Sequence, residues 1–303
     1  MFSAIRTTSQ LTSACLARNL RITNATTRSF HCLPPRFQVA QPGAAAAAGS
    51  KESATNKAER TMKRFWKKAS IKLDDEKYVV QLDGRNLRTP SKNKIMLSAD
   101  RKQLAQLLAA EWDGQLSNLK PHSLPLTSLL SRAIDGLDIG AAEDPSIRPQ
   151  VIDKLMSYLE TDTICFHEDF PEILVQLQAQ HWKPILQWIE KQYDVELKVT
   201  DGIFQVNQPQ ETKDTLRKSV TDMDPLELAA LERAVISSKS FLIGLALVKR
   251  GITVEQAAQA AHVEVNSQID RWGEVEDSHD VEKEYIRQAL GSVACVVMHN
   301  PKP

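Results

Sequence analysis

The sequence predicts an α+β protein, in which a small N-terminal antiparallel β domain is followed by a larger C-terminal orthogonal α-helical bundle. The β prediction comes from short segments between residues 69 and 97 that are rich in β-branched and aromatic residues and surround the pair Asp83-Gly84. The helical prediction comes from residues 126–299, where apolar residues recur at steps of three and four. A chain of 303 residues is long enough for one large domain or two ordinary ones.

The first 50 residues differ in composition from the rest of the chain. They contain five arginines, no lysine and no acidic residue, and they are rich in Ser and Thr. This composition is typical of a mitochondrial transit peptide, and Arg28-Ser29-Phe30 is a candidate processing site. A disordered cytosolic tail is the alternative interpretation. We assign residues 1–55 to a transit peptide and linker, and we expect the protein in the mitochondrial matrix.

The remainder of the chain is mildly acidic, with 33 basic and 38 acidic residues. This balance argues against nucleic-acid binding. The longest apolar run, Phe241–Val248, is far shorter than the roughly 20 residues of a membrane span. Cys15 and Cys32 belong to the leader, whereas Cys165 and Cys295 stand among apolar neighbours. We therefore expect the last two to be core residues rather than part of a disulfide or metal site.

Residues 60–122 are predicted to form the β domain. Its candidate strands are Ala69–Leu73, Tyr78–Leu82, Asn86–Thr89 and Lys94–Leu97. Asp83-Gly84 forms the turn of a hairpin, because both residues tolerate a positive φ. The next helix, predicted from Ser98 as N-cap to about Leu116, carries an apolar stripe that would cover one face of the sheet. This stripe consists of Leu104, Leu107, Leu108 and Trp112.

Residues 123–303 are predicted to form the helical domain, with a short extended piece at Glu196–Val199. The predicted helices are Leu126–Leu137, Ile147–Glu160, Pro171–Tyr193, Glu211–Asp222, Pro225–Lys249, Val254–Trp272 and Val281–His299. The third should break near Pro184, which has no N–H to continue the helix. The helix Pro225–Lys249 is apolar on all sides in its second half, so we expect it to be buried there.

The helix Val254–Trp272 precedes the most acidic part of the chain. Its apolar stripe consists of Val254, Ala257, Ala258, Ala261, Val265, Ile269 and Trp272. Glu264 lies on the flank of this stripe, one turn before Gln268 and two turns before Arg271. Gly273 ends the helix. From the spacing alone, this is an ordinary packed helix with a solvated carboxylate at its edge.

Several motifs, in the order in which they stand here, resemble those of one known family. They are Lys63-Arg64-Phe65, Leu82-Asp83-Gly84-Arg85, Leu87-Arg88-Thr89-Pro90, Glu111-Trp112-Asp113, Asp162-Thr163-Ile164-Cys165 and the segment from Glu264 through Arg271-Trp272-Gly273 to Asp280. The chain resembles the mitochondrial ATP synthase F(1) complex assembly factor 2 family over residues 60–299. That family is the chaperone of the α subunit of the catalytic head of ATP synthase.

The resemblance implies a monomeric binding protein without a cofactor, whose partner is the unassembled α subunit. It would shield the surface of that subunit that later meets the β subunit. The residues assigned to the partner are Glu264, Gln268, Arg271, Trp272, Glu276, Asp277 and Trp112. For Trp112, the residue pattern itself favours a core anchor between sheet and helix over a contact, because a Trp buries a large area.

Residue patterns that would indicate catalysis are weak. No Gly-rich phosphate loop is present, and His262-Val263-Glu264 is not followed by the P-C-x-x-C of a zinc deaminase. Ser278-His279-Asp280 are consecutive, so on a helix their side chains would diverge by about 100° and form no relay. The alternative function is a metal-assisted mitochondrial enzyme of unknown reaction that uses the acidic residues 274–284. Its candidate ligands are Asp277, Asp280, Glu282 and Glu284.

Overall fold

The computed structural model describes residues 63–201 and 207–299. They belong to one compact unit of the chain, Glu52–Pro303. The predicted transit peptide, with Cys15, Cys32 and the candidate processing site, lies outside the described residues.

A four-stranded antiparallel sheet forms the N-terminal part of the fold. Its strands are β1 (Ala69–Asp74), β2 (Lys77–Leu82), β3 (Arg85–Asn86) and β4 (Met96–Ser98). Strand β2 is central, with β1 along one side and β3 and β4 along the other. Asp83 and Gly84 turn between β2 and β3 with φ of 47° and 80°, which confirms the predicted turn.

The turn between β1 and β2 was not predicted, because it contains no glycine. Asp75 and Glu76 adopt φ of 45° and 61° there. Such angles are uncommon for residues with a Cβ, although Asp tolerates them better than most. The register of six residue pairs between β1 and β2, from Ala69–Leu82 to Asp74–Lys77, holds the turn in place.

The predicted covering helix is present, but both of its ends differ from the prediction. A 3-10 turn, Ala99–Arg101, precedes helix α1 (Lys102–Asp113). Ser98 stands before the turn and makes no side-chain capping hydrogen bond, so its prediction as the N-cap of the α-helix was wrong. The helix ends before Gly114 rather than at Leu116, which is 81% exposed. Leu104 and Leu108 are fully buried, as expected of a helix that packs against the sheet.

The remaining chain is mostly helical, as predicted. The helices are α2 (Pro125–Ser131), α3 (Gly140–Glu143), α4 (Ile147–Glu160), α5 (Glu172–His181), α6 (Lys183–Tyr193), α7 (Gln210–Thr221), α8 (Pro225–Ser238), α9 (Phe241–Val248), α10 (Val254–Ala261), α11 (Val263–Trp272) and α12 (His279–Val296). Residues Arg132–Ile139, between α2 and α3, form a π-helical segment. The predicted extended piece lies slightly later, at β6 (Thr200–Asp201), which pairs in parallel with β5 (Phe166–His167).

The predicted helix break near Pro184 is confirmed, whereas the prediction of one unbroken helix over Pro225–Lys249 was wrong. Helices α5 and α6 are separated at Trp182, two residues before Pro184, as predicted. The predicted helix Pro225–Lys249 is two helices, because Lys239 adopts a left-handed φ of 58°. The Ser240 hydroxyl then accepts a 3.0 Å hydrogen bond from the N–H of Ile243 and caps α9.

The predicted helix Val254–Trp272 is also two helices, α10 and α11. The break lies at His262, whose φ of −106° and ψ of 11° depart from helical values. The imidazole Nδ1 of His262 lies 3.0 Å from the carbonyl oxygen of Ala258, within the turn that the break opens. The predicted apolar stripe is therefore wrong at Trp272, while Val265 and Ile269 of the stripe are half-buried. Val263 and Ser267 are the buried residues of α11, whereas Trp272 is 71% exposed.

One hydrophobic core connects the sheet with the helices. Leu97 of β4 and Leu108 of α1 belong to the same cluster of buried side chains as Leu231 and Leu290, which lie in α8 and α12. All eight residues of α9 are buried in this core, which confirms the burial predicted from its composition. Because the core is shared, the division of the chain at residue 122 stays a prediction.

The two cysteines of the described residues are free. Cys165 is buried, and burial raises the pKa of its thiol. Cys295 is half-buried and its pKa is raised for the same reason. Both pack as small apolar side chains, as predicted. Within the part of the chain that the structure describes, no helix combines the length and the apolar character needed to cross a membrane.

Candidate partner-binding surface

Each upstream motif contributes at least one side chain that bonds within the molecule, although Phe65 of the first motif is 69% exposed. The guanidinium of Arg64 donates hydrogen bonds to the carbonyl oxygens of Trp66, Asp113 and Gln115, at 3.0, 2.8 and 2.6 Å. Its Cζ lies 5.5 Å from the ring centroid of Trp66. Arg64 thereby fixes the first described residues to the end of α1.

The two motifs of the sheet also serve the fold. The Asp83 carboxylate accepts hydrogen bonds of 2.9 and 3.0 Å from the backbone N–H groups of Lys67 and Lys68, which lower its pKa. The Thr89 hydroxyl donates a 2.7 Å hydrogen bond to Asp135, in the π-helical segment. The first two bonds join the turn between β2 and β3 to the residues before β1. The third joins Thr89 to the π-helical segment.

Glu111-Trp112-Asp113 joins α1 to its surroundings with each of its three side chains. The Glu111 carboxylate accepts from the N–H groups of Leu126 and Thr127, at 2.7 and 2.9 Å, and so caps the start of α2. The indole of Trp112 donates to the Thr127 hydroxyl at 2.8 Å. Asp113 accepts a 3.1 Å bond from the N–H of Ala69, in β1. Burial raises the pKa of Glu111, against its hydrogen bonds.

Asp162 is a fully buried carboxylate with two capping functions. One oxygen accepts a hydrogen bond from the N–H of Ile164 at 3.3 Å, and the other accepts from the N–H of Leu242, at the start of α9, at 2.9 Å. Desolvation raises the pKa of Asp162 to about 6. Its motif therefore anchors the most buried helix of the core.

The C-terminal motif differs from these, because four of its recognised side chains face outward. Glu264, Gln268, Arg271 and Trp272 are exposed on α11. Within residues 63–201 and 207–299, none of these four side chains makes a hydrogen bond or ion pair. Residues 264, 268 and 272 are spaced by four and share one face of the helix. Arg271 stacks on Trp272, with its Cζ 5.2 Å from the ring centroid.

The connection from α11 to α12 extends this exposed surface. Gly273 ends α11 with φ of 88°, and its N–H donates to the carbonyl oxygen of Ile269 at 2.8 Å. The N–H of Val275 donates to Nδ1 of His279, and the N–H of His279 donates to the carbonyl oxygen of Val275. Glu276 and Asp277 lie in this connection and are exposed, and Asp277 adopts φ of 60°.

Exposed apolar and acidic side chains alternate along this part of the chain. Trp272, Val275, Val281 and Tyr285 are 71, 58, 60 and 60% exposed. Six acidic residues lie among them: Glu274, Glu276, Asp277, Asp280, Glu282 and Glu284. We call the exposed residues of 264–285 the C-terminal patch. Several large exposed apolar side chains in so short a stretch of the chain mark a candidate interaction site.

The C-terminal patch stands on a rigid base. Helix α11 packs against α5, and α10 packs against α12. Arg287 of α12 donates to both carboxylate oxygens of Glu255 in α10, at 3.0 and 2.9 Å. The hydrogen bonds from Arg287 lower the pKa of the Glu255 carboxyl to about 2. These contacts hold α10, α11 and α12, which carry the patch, against the rest of the fold.

The structure brings six of the seven predicted partner residues together and leaves the seventh apart. Trp112 lies on α1, is half-buried, and contacts the Trp66 ring at a centroid distance of 5.0 Å. Val275, Val281 and Tyr285 were not predicted. Their sequence signal was the four-residue spacing of the last two among charged neighbours, which also fits an ordinary helix stripe.

The acidic residues of the patch do not converge. Across the described ranges, no group of three or more His, Cys, Asp and Glu side chains has the geometry of a metal site. The carboxylate of Asp280 accepts from the N–H of Val281, at the first turn of α12. Charge spread over an exposed surface in this way suits a basic partner surface better than a single cation.

The sequence of this chain is similar to those of known proteins. A family model described as "ATP12 chaperone protein" matches residues 63–190. The chain is 34% identical to the protein atp12, mitochondrial, of Schizosaccharomyces pombe over 241 residues, which cover 77% of this chain and 81% of that relative. The chain belongs to the ATP12 chaperone family.

Two further similarities agree with this membership. The protein ATP12, mitochondrial, of Saccharomyces cerevisiae is 32% identical over 279 residues, covering 79% of this chain and 85% of the relative. The crystal structure of Atp12 from Paracoccus denitrificans is similar to this fold, with a TM-score of 0.67 and 28% sequence identity. That similarity covers 79% of this chain and 98% of the bacterial one. The match to the ATP12 family thus extends over most of the described residues.

Proposed function

We propose that this chain is an assembly chaperone of the mitochondrial ATP synthase. It binds the unassembled α subunit in the matrix and shields the surface that later contacts the β subunit. Membership of the ATP12 chaperone family supports the assembly function, and its mitochondrial relatives support the compartment. The choice of the α subunit rests on the resemblance of the sequence motifs.

The observation that carries the proposal is the contrast between the C-terminal patch and the other motifs. Arg64, Asp83, Glu111 and Asp162 each satisfy backbone groups of the chain itself. Glu264 and Trp272, in contrast, lie on the surface. Side chains that contribute nothing to the fold are available for a partner.

Binding by this patch requires no chemical step. An unassembled subunit exposes an apolar surface that would otherwise aggregate, and a chaperone that covers it lowers the concentration of that exposed surface. Trp272 supplies apolar contact area, and the surrounding carboxylates meet basic or polar groups at the edge of the client surface. Release follows when the β subunit competes for the same surface of the client.

Co-expression tests the proposal. Residues 56–303 are produced together with the ATP synthase α subunit, and the soluble α subunit that co-purifies is measured without added nucleotide. We expect a soluble complex with the wild-type chain. If the α subunit aggregates to the same extent with and without the chain, and no complex forms at micromolar concentration, the proposed client is wrong.

A charge-reversal pair localises the contact. Glu264 and Glu211 are both exposed, and each is the second residue of its helix, α11 or α7. Glu264→Lys and Glu211→Lys should therefore lose the same small amount of stability, about 0.5 kcal/mol, from the reversed charge near a helix N-terminus. We expect Glu264→Lys to weaken client binding at least ~10-fold and Glu211→Lys to leave it unchanged. Equal binding by both variants would exclude Glu264 from the contact.

A further inference from the structure

A wide groove lies beside the first turns of α12. It has a volume of about 720 Å³ and runs between α12 and the turn that leads into α2. Its apolar lining comes from Pro121, Pro125, Val281, Tyr285 and Ala289. Arg233 and Glu284 are among its polar lining residues. All of its lining residues belong to the described part of the chain.

The first turns of α12 present two different faces. Residues 281, 284, 285, 288 and 289 line the large groove and include the apolar Val281 and Tyr285 beside the polar Glu284 and Gln288. His279, Lys283 and Arg287, also spaced by four, line a separate cleft of about 120 Å³ against α11. The polar face is thus turned toward the chain's own α11, whereas the apolar face is turned toward an open groove.

The exposure of this apolar face costs free energy in water. Val281 and Tyr285 are each 60% exposed, although the same helix buries Ile286 and Leu290. Exposed apolar area is unfavourable by roughly 25 cal/mol per Å² relative to burial. A contiguous groove of this kind is typical of an interaction site rather than of an unused surface.

We propose that this groove is the second half of the client-binding surface and accepts an apolar segment of the client that is flanked by basic side chains. This inference rests on the proposed chaperone function and extends its contact from α11 onto α12 and the Pro121–Pro125 turn. The groove would take the apolar side chains, and the carboxylates of Asp280, Glu282 and Glu284 would meet the flanking cations.

Continuity with the C-terminal patch supports a single client. Val275 and His279 are joined by two hydrogen bonds, which tie the connection to the first residue of α12. Trp272 ends α11, Val275 lies in the connection, and Val281 and Tyr285 lie in the first turns of α12. The C-terminal patch therefore continues along the chain into residues that line the groove.

Two proline rings and a side-chain hydrogen bond restrict the movement of the groove's walls. Two of its walls are the rings of Pro121 and Pro125, whose φ angles are fixed, and Pro125 is the first residue of α2. Arg233 donates a 3.0 Å hydrogen bond to the hydroxyl of Ser128 at the groove's edge. A groove with fixed walls loses little conformational entropy when it is filled.

A double variant, Val281→Ser with Tyr285→Ser, tests the groove. Its matched control is Leu116→Ser, since Leu116 is 81% exposed and lies outside the lining of this groove. The dissociation constant of the complex with the α subunit is measured for both variants and for Glu264→Lys. We expect the double variant to bind at least ~10-fold more weakly and the control to bind as the wild type does.

A second measurement covers the case in which the double variant does not fold. Tyr285→Cys is labelled with an environment-sensitive fluorophore, and emission is recorded as the α subunit is added. A blue shift that saturates with complex formation is expected, because the label would leave water. An unchanged spectrum in a complex that still forms would overturn the proposal.

The outcomes separate this inference from the proposed function. If the wild-type chain does not bind the α subunit, the proposed function and the groove fail together. If Glu264→Lys weakens the complex and the double variant does not, the function stands and the groove is wrong. If the wild-type chain sediments as a dimer that the double variant dissociates, the groove is an interface between copies of this chain, which also overturns the proposal.

Discussion

The indole Nε1 of Trp112 donates a 2.8 Å hydrogen bond to the hydroxyl of Thr127, and that hydroxyl donates in turn to Glu111 at 2.6 Å. Trp112 also accepts a 3.2 Å hydrogen bond at its carbonyl oxygen from the indole of Trp66. The side chain of Trp112 thus joins α1 to α2, and its carbonyl oxygen joins α1 to Trp66, which stands before β1. The structure thus gives Trp112 a place in the fold, while its contact with a partner stays a prediction.

Two Trp→Phe variants distinguish a residue of the fold from a residue of the contact. Trp112→Phe loses the hydrogen bond to Thr127, and we expect the free energy of unfolding to fall by about 1–2 kcal/mol with client affinity unchanged. Trp272→Phe, at a 71% exposed position, should change stability by less than about 0.5 kcal/mol and weaken the client complex. Denaturant unfolding and a binding titration measure both quantities. The reverse pattern would show that Trp112 contacts the client.

The ionisation of Asp162 should make stability depend on pH between about 4 and 6. Burial raises the pKa of Asp162 from 3.8 in the unfolded chain to about 6 in the folded one. Well below pH 3.8 the carboxyl is protonated in both states and its burial is without electrostatic cost. As the pH rises from 4 to 6, the unfolded state ionises first, so the stability due to this group falls by about 2 kcal/mol, and by about 3 kcal/mol over both titrations.

The difference between the wild type and Asp162→Asn isolates this effect, because an amide does not titrate. We expect the free energy of unfolding of the wild type to fall relative to the variant across this range and to run parallel to it above pH 7. Denaturant titrations at a series of pH values provide the measurement. Parallel profiles from pH 4 to 7 would mean that Asp162 is ionised in the folded state throughout.

The buried guanidinium of Arg101 should matter more for stability than exposed ion pairs do. Arg101 is 4% exposed and donates to Asp224 at 2.6 Å and to the carbonyl oxygen of Val296 at 2.9 Å. It thereby joins the start of α1 to the start of α8 and the end of α12. We expect Arg101→Met to lower the free energy of unfolding by about 2–3 kcal/mol.

Arg217→Met is the matched control for that variant. Arg217 forms a 2.5 Å ion pair with Asp153, and both side chains are about half exposed or more. Solvent screens such a pair, so its loss should cost less than about 1 kcal/mol. Denaturant midpoints of the two variants give the comparison, and equal losses would contradict the assignment of Arg101 to the core.

The break between α8 and α9 offers a stabilising substitution. Lys239 is exposed and holds the left-handed φ of 58°, a conformation that costs an L-residue with a Cβ roughly 1–2 kcal/mol. Lys239→Gly removes this strain but adds freedom to the unfolded chain, so we expect a net gain of about 0.5 kcal/mol. Lys218→Gly, at an exposed helical position of α7, should instead lose about 1 kcal/mol. Thermal denaturation distinguishes the two signs.

The sequence alone determined those features that depend on neighbouring residues. The Asp83-Gly84 turn follows from two residues that accept a positive φ. The break before Pro184 follows from its missing N–H, and the burial of Phe241–Val248 follows from a run without polar side chains. The prediction of a transit peptide likewise rests on local composition and stays a prediction. The family resemblance rests on motifs, and the comparisons confirm the family.

The tertiary structure decided which residues of each pattern are buried and which face solvent. No Gly or Pro in the sequence predicts the helix breaks at Lys239 and His262. The break at His262 displaces the apolar stripe of α11, so that Trp272 is exposed. Glu111 and Glu264 are both acidic residues of recognised motifs, yet Glu111 caps α2 while Glu264 faces water. Their difference depends on whether another element supplies N–H donors at that point in space. Long-range packing brings Leu126 and Thr127 to Glu111, but it brings no hydrogen-bond donor of the described chain to Glu264. That packing alone distinguishes a residue of the fold from a candidate residue of the contact.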